Sequence, residues 1–147
     1  MRRILFIVLS LMVAAPAAAE VVRRESAHDV ATTADRLEAA VTEAGARVFA
    51  RVPHSKGAAS VDVDMAPMTL MIFGNPQIGT PAITAAPEAG LVLPLRVLIH
   101  EDDQGRTLIS WQEPGPMLTS MGVPGDAPVI DQIAGALDSL TGTAASR

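Results

Sequence analysis

The sequence predicts an α/β domain: a small two-layer sandwich in which a mixed sheet of about four to five strands is covered by helices. Three observations carry this. Val30, Ala34, Leu37, Val41 and Ala44 recur at helical spacing and form one apolar stripe. Short runs rich in branched residues, near 47–52, 69–73, 95–101 and 106–112, are separated by Gly and Pro signals and read as strands. At 147 residues the chain has the length of one domain with its own core.

Residues 1–19 read as an export signal: Met1-Arg2-Arg3 is basic, Ile4 to Val13 is apolar, and Ala17-Ala18-Ala19 supplies small residues before Glu20. The apolar run is shorter than the ~20 residues a membrane span needs. The expectation is therefore a periplasmic or secreted protein with no stable membrane span once the signal is removed. Two of the 11 basic residues fall in that segment, which leaves 9 against 16 acidic ones, a formal −7. Without a basic stripe such a chain is no nucleic-acid partner, because phosphate neutralisation by Lys and Arg supplies most of that affinity. Cysteine is absent, which excludes a disulfide framework.

In chain order, Val21-Val22 reads as a short edge strand. Ser26 and Asp29 read as a capping box for a helix over 27–44, stopped by Gly45. Arg47 to Val52 alternates, with Val48, Ala50 and Val52 on one face. After Pro53, residues 54–60 fit one helical turn or a loop, and Val61, Val63 and Met65 suggest a further extended stretch. Met68 to Phe73 is apolar on both faces, as in a central strand. Gly74-Asn75-Pro76 breaks it. Thr80-Pro81 reads as cap and first position of a helix over 81–86. Leu95–Glu101 and Arg106–Gln112 form a hairpin around Asp102-Asp103-Gln104-Gly105. Met117–Met121 fits one helical turn, and a last helix spans 128–140, leaving 142–147 as a frayed tail beyond a domain of residues 20–141. Leu37, Val41, Met71, Ile72, Val97 and Ile109 are the expected core.

The block Phe73-Gly74-Asn75-Pro76, Gly79-Thr80, Leu93-Pro94-Leu95-Arg96-Val97-Leu98 and Glu101-Asp102 with Gly105 resembles the bacterial family of domain of unknown function 302, from about Ser26 to Trp111. The resemblance implies a small two-layer α/β sandwich, a homodimer and no established activity. This chain has Pro53 where the family commonly carries Asp, so no role for an Asp-His pair at 53 and 54 carries over.

Candidate ligand-binding residues are His54, Gly74, Asn75, Gly79 and Thr80. His54 fits a metal ligand or a partner for an anion, and equally a ring that pins a turn. The 74–80 turn joins a strand end to a helix start, where backbone N–H groups attract anions; a small anionic ligand fits there, and so does a tight turn with no ligand. It lacks the Lys of a phosphate loop. His100 beside Glu101 and Asp102, and the Met residues, form no metal-ligand spacing, and no catalytic residue or cofactor is indicated. Three readings follow: a non-enzymatic module binding a small ligand or protein, an enzyme using His54 with the 74–80 turn, or a metal- or haem-handling accessory protein. The site pairing His54 with Asn75 needs the strands near 47–52 and 69–73 to run parallel.

Overall fold

In the computed structural model, which describes residues 20–147, the strands are β1 (Val21–Glu25), β2 (Arg47–Pro53), β3 (Met68–Gly74), β4 (Leu95–Glu101) and β5 (Thr107–Gln112). They form one sheet in the order β1-β5-β4-β3-β2, with every pairing antiparallel. The helices are α1 (Val30–Glu43), α2 (His54–Ala59), α3 (Pro76–Ala85), α4 (Pro114–Thr119) and α5 (Pro128–Ala145), with a 3-10 turn at Pro87–Leu91. The two-layer sandwich stands, but the sheet is antiparallel rather than mixed. Across the long connection between β3 and β4, α3 packs on the 3-10 turn and α5, and the chain re-enters the sheet antiparallel. The expected signal segment, 1–19, lies outside the described residues.

Both long helices lie on one face of the sheet. Leu37 and Val41 from α1, Ile133 and Leu137 from α5, and Met71, Phe73, Val97, Ile99 and Ile109 from the strands make a common core. Burying each such side chain removes apolar surface from water at roughly 25 cal/mol per Å². Five of the six expected core residues are fully buried. Ile72 is the exception: it is half-buried and points to the other face, as alternation along β3 requires.

The chain ends are held by side chains. Asp29, not Ser26, caps α1, its carboxylate accepting from the Thr32 N–H at 2.7 Å. The Ser26 hydroxyl is bonded to the Thr33 hydroxyl at 2.7 Å, so the helix begins at Val30 rather than 27. Gly45, at φ +72°, stops it. At the other terminus the expected frayed tail is helical through Ala145, with Ala144 buried. Arg36 explains the difference: it donates to the Ala144, Thr143 and Ser146 carbonyls, partners that the last turn of a helix otherwise lacks. Arg24 adds bonds to the Asp138 carbonyl and the Thr141 hydroxyl.

Three further expectations are corrected. The register of β2 shifts between Val48, opposite Phe73, and Ala50, opposite Ile72, so Phe49 is an extra residue and simple alternation fails. Arg51 consequently turns to the helix side and reaches Asp35 at 2.6 Å. Residues 54–59 are helical, whereas Val61, Val63 and Met65 form an exposed loop, not a strand. The helix read at 81–86 begins at Pro76, with Asn75 as cap and Pro81 inside it. Both Asn75-Pro76 and Thr80-Pro81 have the cap-proline pattern, and the first one starts the helix.

Candidate functional site

At the end of the sheet where β3 stops and β4 starts, a cleft of about 290 Å³ opens between α3, the Leu93-Pro94 segment and α5. Its floor is Phe73, Leu93, Leu95 and Leu140, all buried; its mouth includes Phe49, 52 % exposed, and Ile83. Gly74, Asn75, Gly79 and Thr80 all line it, so the turn singled out in the sequence is one wall of the cavity. Gly74 lies close to the neighbouring wall: a Cβ there would be in van der Waals contact with the Pro94 Cβ at 3.4 Å and the Phe49 ring at 3.7 Å. Among the described residues no ionisable side chain lines the cleft.

Of the two readings of the turn, a ligand-free tight turn and an anion site, the hydrogen bonds fit the first. Asn75 Oδ1 accepts from the Gln77 N–H at 2.9 Å, and the Ile78 and Gly79 N–H groups bond the Asn75 carbonyl. Pro76 has no N–H. The donors of the first turn are thus occupied, and an anion has none to bind there. The cavity is apolar, with the Asn75 and Thr80 polar groups at its wall.

His54 is elsewhere. Because β2 and β3 are antiparallel, Arg47 pairs with Gly74 and Pro53 pairs with Thr69. That puts His54 at the far end of the sheet from Asn75, a strand length away, and the proposed pairing of the two in one site is overturned. His54 is exposed at the start of α2 and does not line the cleft. A second depression near it, lined by Val30, Arg51, Ser55 and Thr69 among others, does not include His54 either. His100 Nε2 lies 3.1 Å from the Ser110 hydroxyl, and His28 Nε2 lies 2.8 Å from the Ser146 carbonyl. Among the described residues no group of three or more His, Cys, Asp or Glu is placed to hold a metal.

Sequence reasoning missed half of the cavity. Ile133, Ala136 and Leu140 belong to the apolar stripe of α5 and looked like core, which Ile133 and Leu140 also are. Phe49 was the available signal: a large aromatic in a chain with 3 Phe and 1 Trp, on an edge strand beside a glycine turn.

An antiparallel five-stranded sheet that carries two long helices on one face, with its other face uncovered by the described residues and an apolar cleft at one end, defines a small two-layer α/β sandwich domain. The chain belongs to the family described as Domain of unknown function DUF302, whose sequence model matches residues 22–142. A crystal structure of an uncharacterized conserved DUF302 protein from Bacillus stearothermophilus has the same fold, with a TM-score of 0.68 at 18 % identity, covering 85 % of this chain and 94 % of that one. The chain is also 35 % identical over 113 residues to the fluoride-specific ion channel FluC 1 of Brucella suis biovar 1, covering 76 % of this chain and 44 % of that protein. FluC 2 of Brucella melitensis biotype 1 gives the same identity over 76 % of this chain and 42 % of its own length. The chain therefore spans less than half the length of these curated relatives. Among the described residues no helix is long and apolar enough to cross a membrane.

Proposed function

We propose that the protein is an exported, non-enzymatic binding module that holds a small, mainly apolar ligand in the cleft beside the 74–80 turn. One observation carries this reading: a cavity of about 290 Å³ lined by apolar side chains and no ionisable one. Ligand sites are typically concave and apolar, with a few polar groups that fix orientation, and Asn75 and Thr80 supply those here. An enzyme built on His54 and the turn has lost its geometry, and a metal- or haem-handling role has no ligand cluster behind it among the described residues. Because the shared region is under half of the fluoride channels, the binding role is proposed for the shared module and ion conduction is not carried over.

Export fits the fold boundary. The Glu20 carbonyl already accepts from the Glu113 N–H at 2.8 Å, and β1 starts at Val21, so cleavage after Ala19 leaves the sheet complete. N-terminal sequencing of the mature protein should begin at or near Glu20; a soluble product retaining Met1 would refute export.

The module includes a homodimer, through the sheet face away from the helices. Across that face run Val52, Leu70 and Leu98 in one row and Ala50 and Ile72 in the next, all at least partly exposed; Ser110 and Arg23 continue the first row and Arg96 the second, so the apolar part lies over β2, β3 and the middle of β4. A water-facing side of an antiparallel sheet is ordinarily polar. Five strands about 4.8 Å apart and about 24 Å long give a footprint of roughly 600 Å². Its accessible area is larger than that flat figure, and a stable partner buries about 800 Å². Native mass spectrometry of the mature protein from its own cells reads both features: a dimer carrying a retained small molecule is expected. A monomer would refute the interface, and a ligand-free protein that also binds no apolar probe would refute the cleft.

A further inference from the structure

One cation, Arg47, stands against a lining side chain of the cleft without lining it itself. Arg47 follows the lining residue Ala46, pairs in register with the lining residue Gly74, and places its guanidinium carbon 5.9 Å from the centre of the lining Phe49 ring. Its guanidinium has no other assigned work. Arg24, Arg51 and Arg106 are ion-paired, and Arg36 and Arg96 donate to backbone carbonyls; among the described residues Arg23, Lys56 and Arg147 are also without such a partner, but none of them stands against a residue that lines the cleft. Arg47 forms no ion pair or side-chain hydrogen bond with the described residues; it is exposed and lies over the ring of Phe49, which lines the apolar hole. A guanidinium presents several donors in a plane that matches a carboxylate.

The size of the hole limits the rest of the ligand. A dry cavity of about 150 Å³ lined by Leu, Ile and Phe holds one benzene. At about 290 Å³ this cleft is about twice that, room for roughly a dozen non-hydrogen atoms. On the reading that the cleft is the ligand site, we propose that its ligand is an amphipathic anion, a medium-length alkyl carboxylate whose chain fills the cleft and whose carboxylate meets Arg47 at the mouth. The carboxylate lies at the strand start, not at the α3 start, where the donors are already used. Glu43, one residue before the lining Ala44, is the acidic neighbour in sequence and works against the anion.

Titration calorimetry at neutral pH with decanoate and with decanol, on the mature protein and on Arg47→Met and Arg47→Lys, tests this. Decanoate should bind more tightly than decanol. Arg47→Met should weaken decanoate by about fivefold, the upper range for one solvent-exposed ion pair, while leaving decanol unchanged. Arg47→Lys should retain most of the preference, because the charge stays. Equal binding of decanoate and decanol, with both insensitive to Arg47→Met, would overturn the anion and leave the apolar cleft standing. Binding of neither by a protein whose melting is intact would overturn the cleft itself. Loss of decanol binding in Arg47→Met would show that Arg47 shapes the cavity rather than reads a charge, and would also overturn the proposal.

Discussion

Replacing Ala136 by Leu tests the cleft through stability and binding at once. Ala136 lines the cavity from α5, and the change puts three carbons into it. At about 0.8 kcal/mol per buried CH₂ the gain is at most about 2.4 kcal/mol. Loss of leucine rotamer freedom returns about 0.5–1 kcal/mol, for a net stabilisation of about 1.5 kcal/mol. Both residues are good helix formers, so backbone propensity changes the figure little. For a domain of this size that is a rise in Tm of about 6 °C. By the benzene comparison three carbons occupy about 75 Å³, roughly a quarter of the cleft, enough to exclude a ligand that fills it. Differential scanning calorimetry and decanol titration on the same preparation read the two effects. A Tm that falls, with decanol binding retained, would mean that the cavity is not an accessible apolar space and would refute the reasoning.

Other consequences follow from the same contacts. Leu37→Ala, at a fully buried position under the sheet, should cost about 2–5 kcal/mol in denaturant unfolding, and a near-neutral result would place the α1 stripe wrongly. Leu70→Glu puts a charge in the middle of the open sheet face and should convert a dimer to a folded monomer by light scattering; an unchanged dimer would move the interface elsewhere. Asp102 accepts from the Arg106 backbone N–H, the Arg106 guanidinium and the Gln104 N–H, which hold its carboxyl below the ordinary Asp range. A depressed folded-state pKa gives stability that is present above the ordinary value and lost as pH falls through the folded one. Asp102→Asn should therefore lower Tm at neutral pH and converge on the parent in strong acid; a constant gap at all pH would refute the hairpin assignment. Arg36→Met should speed amide exchange over the last turn of α5 without altering α1, and unchanged exchange there would remove Arg36 as the tether.

What the sequence disclosed depended on whether the cause was local. The α1 stripe from Val30 to Val41, Gly45 beyond its end and the Asp102–Gly105 hairpin are set by residues within a few positions of one another and formed where expected, while Ala44, the last residue of the expected stripe, is the exposed cap. The end of α5 was illegible because its tether, Arg36, is 108 residues from Ala144. The Ser26 and Thr80 assignments failed through local ambiguity: two residues in each segment could cap, and tertiary packing chose between them. Direction of pairing between β2 and β3 is a property of the whole sheet, and the position of His54 depended on it alone. The 74–80 turn was legible as a wall because a glycine-proline break between apolar segments opens onto the surface. Its partner wall on α5 was not, since an apolar residue lining a cleft and one filling a core look alike in sequence.

Among the described residues the cleft and the β2–β3 part of the open sheet face both expose apolar side chains, and the proposed ligand belongs in the first. Methyl-resolved NMR of the mature protein titrated with decanol separates them residue by residue. The account predicts shifts at Ile83, Leu93, Ile133 and Leu140, with Leu70, Ile72 and Leu98 unmoved. Shifts confined to Leu70, Ile72 and Leu98, with the cleft methyls silent, would contradict it.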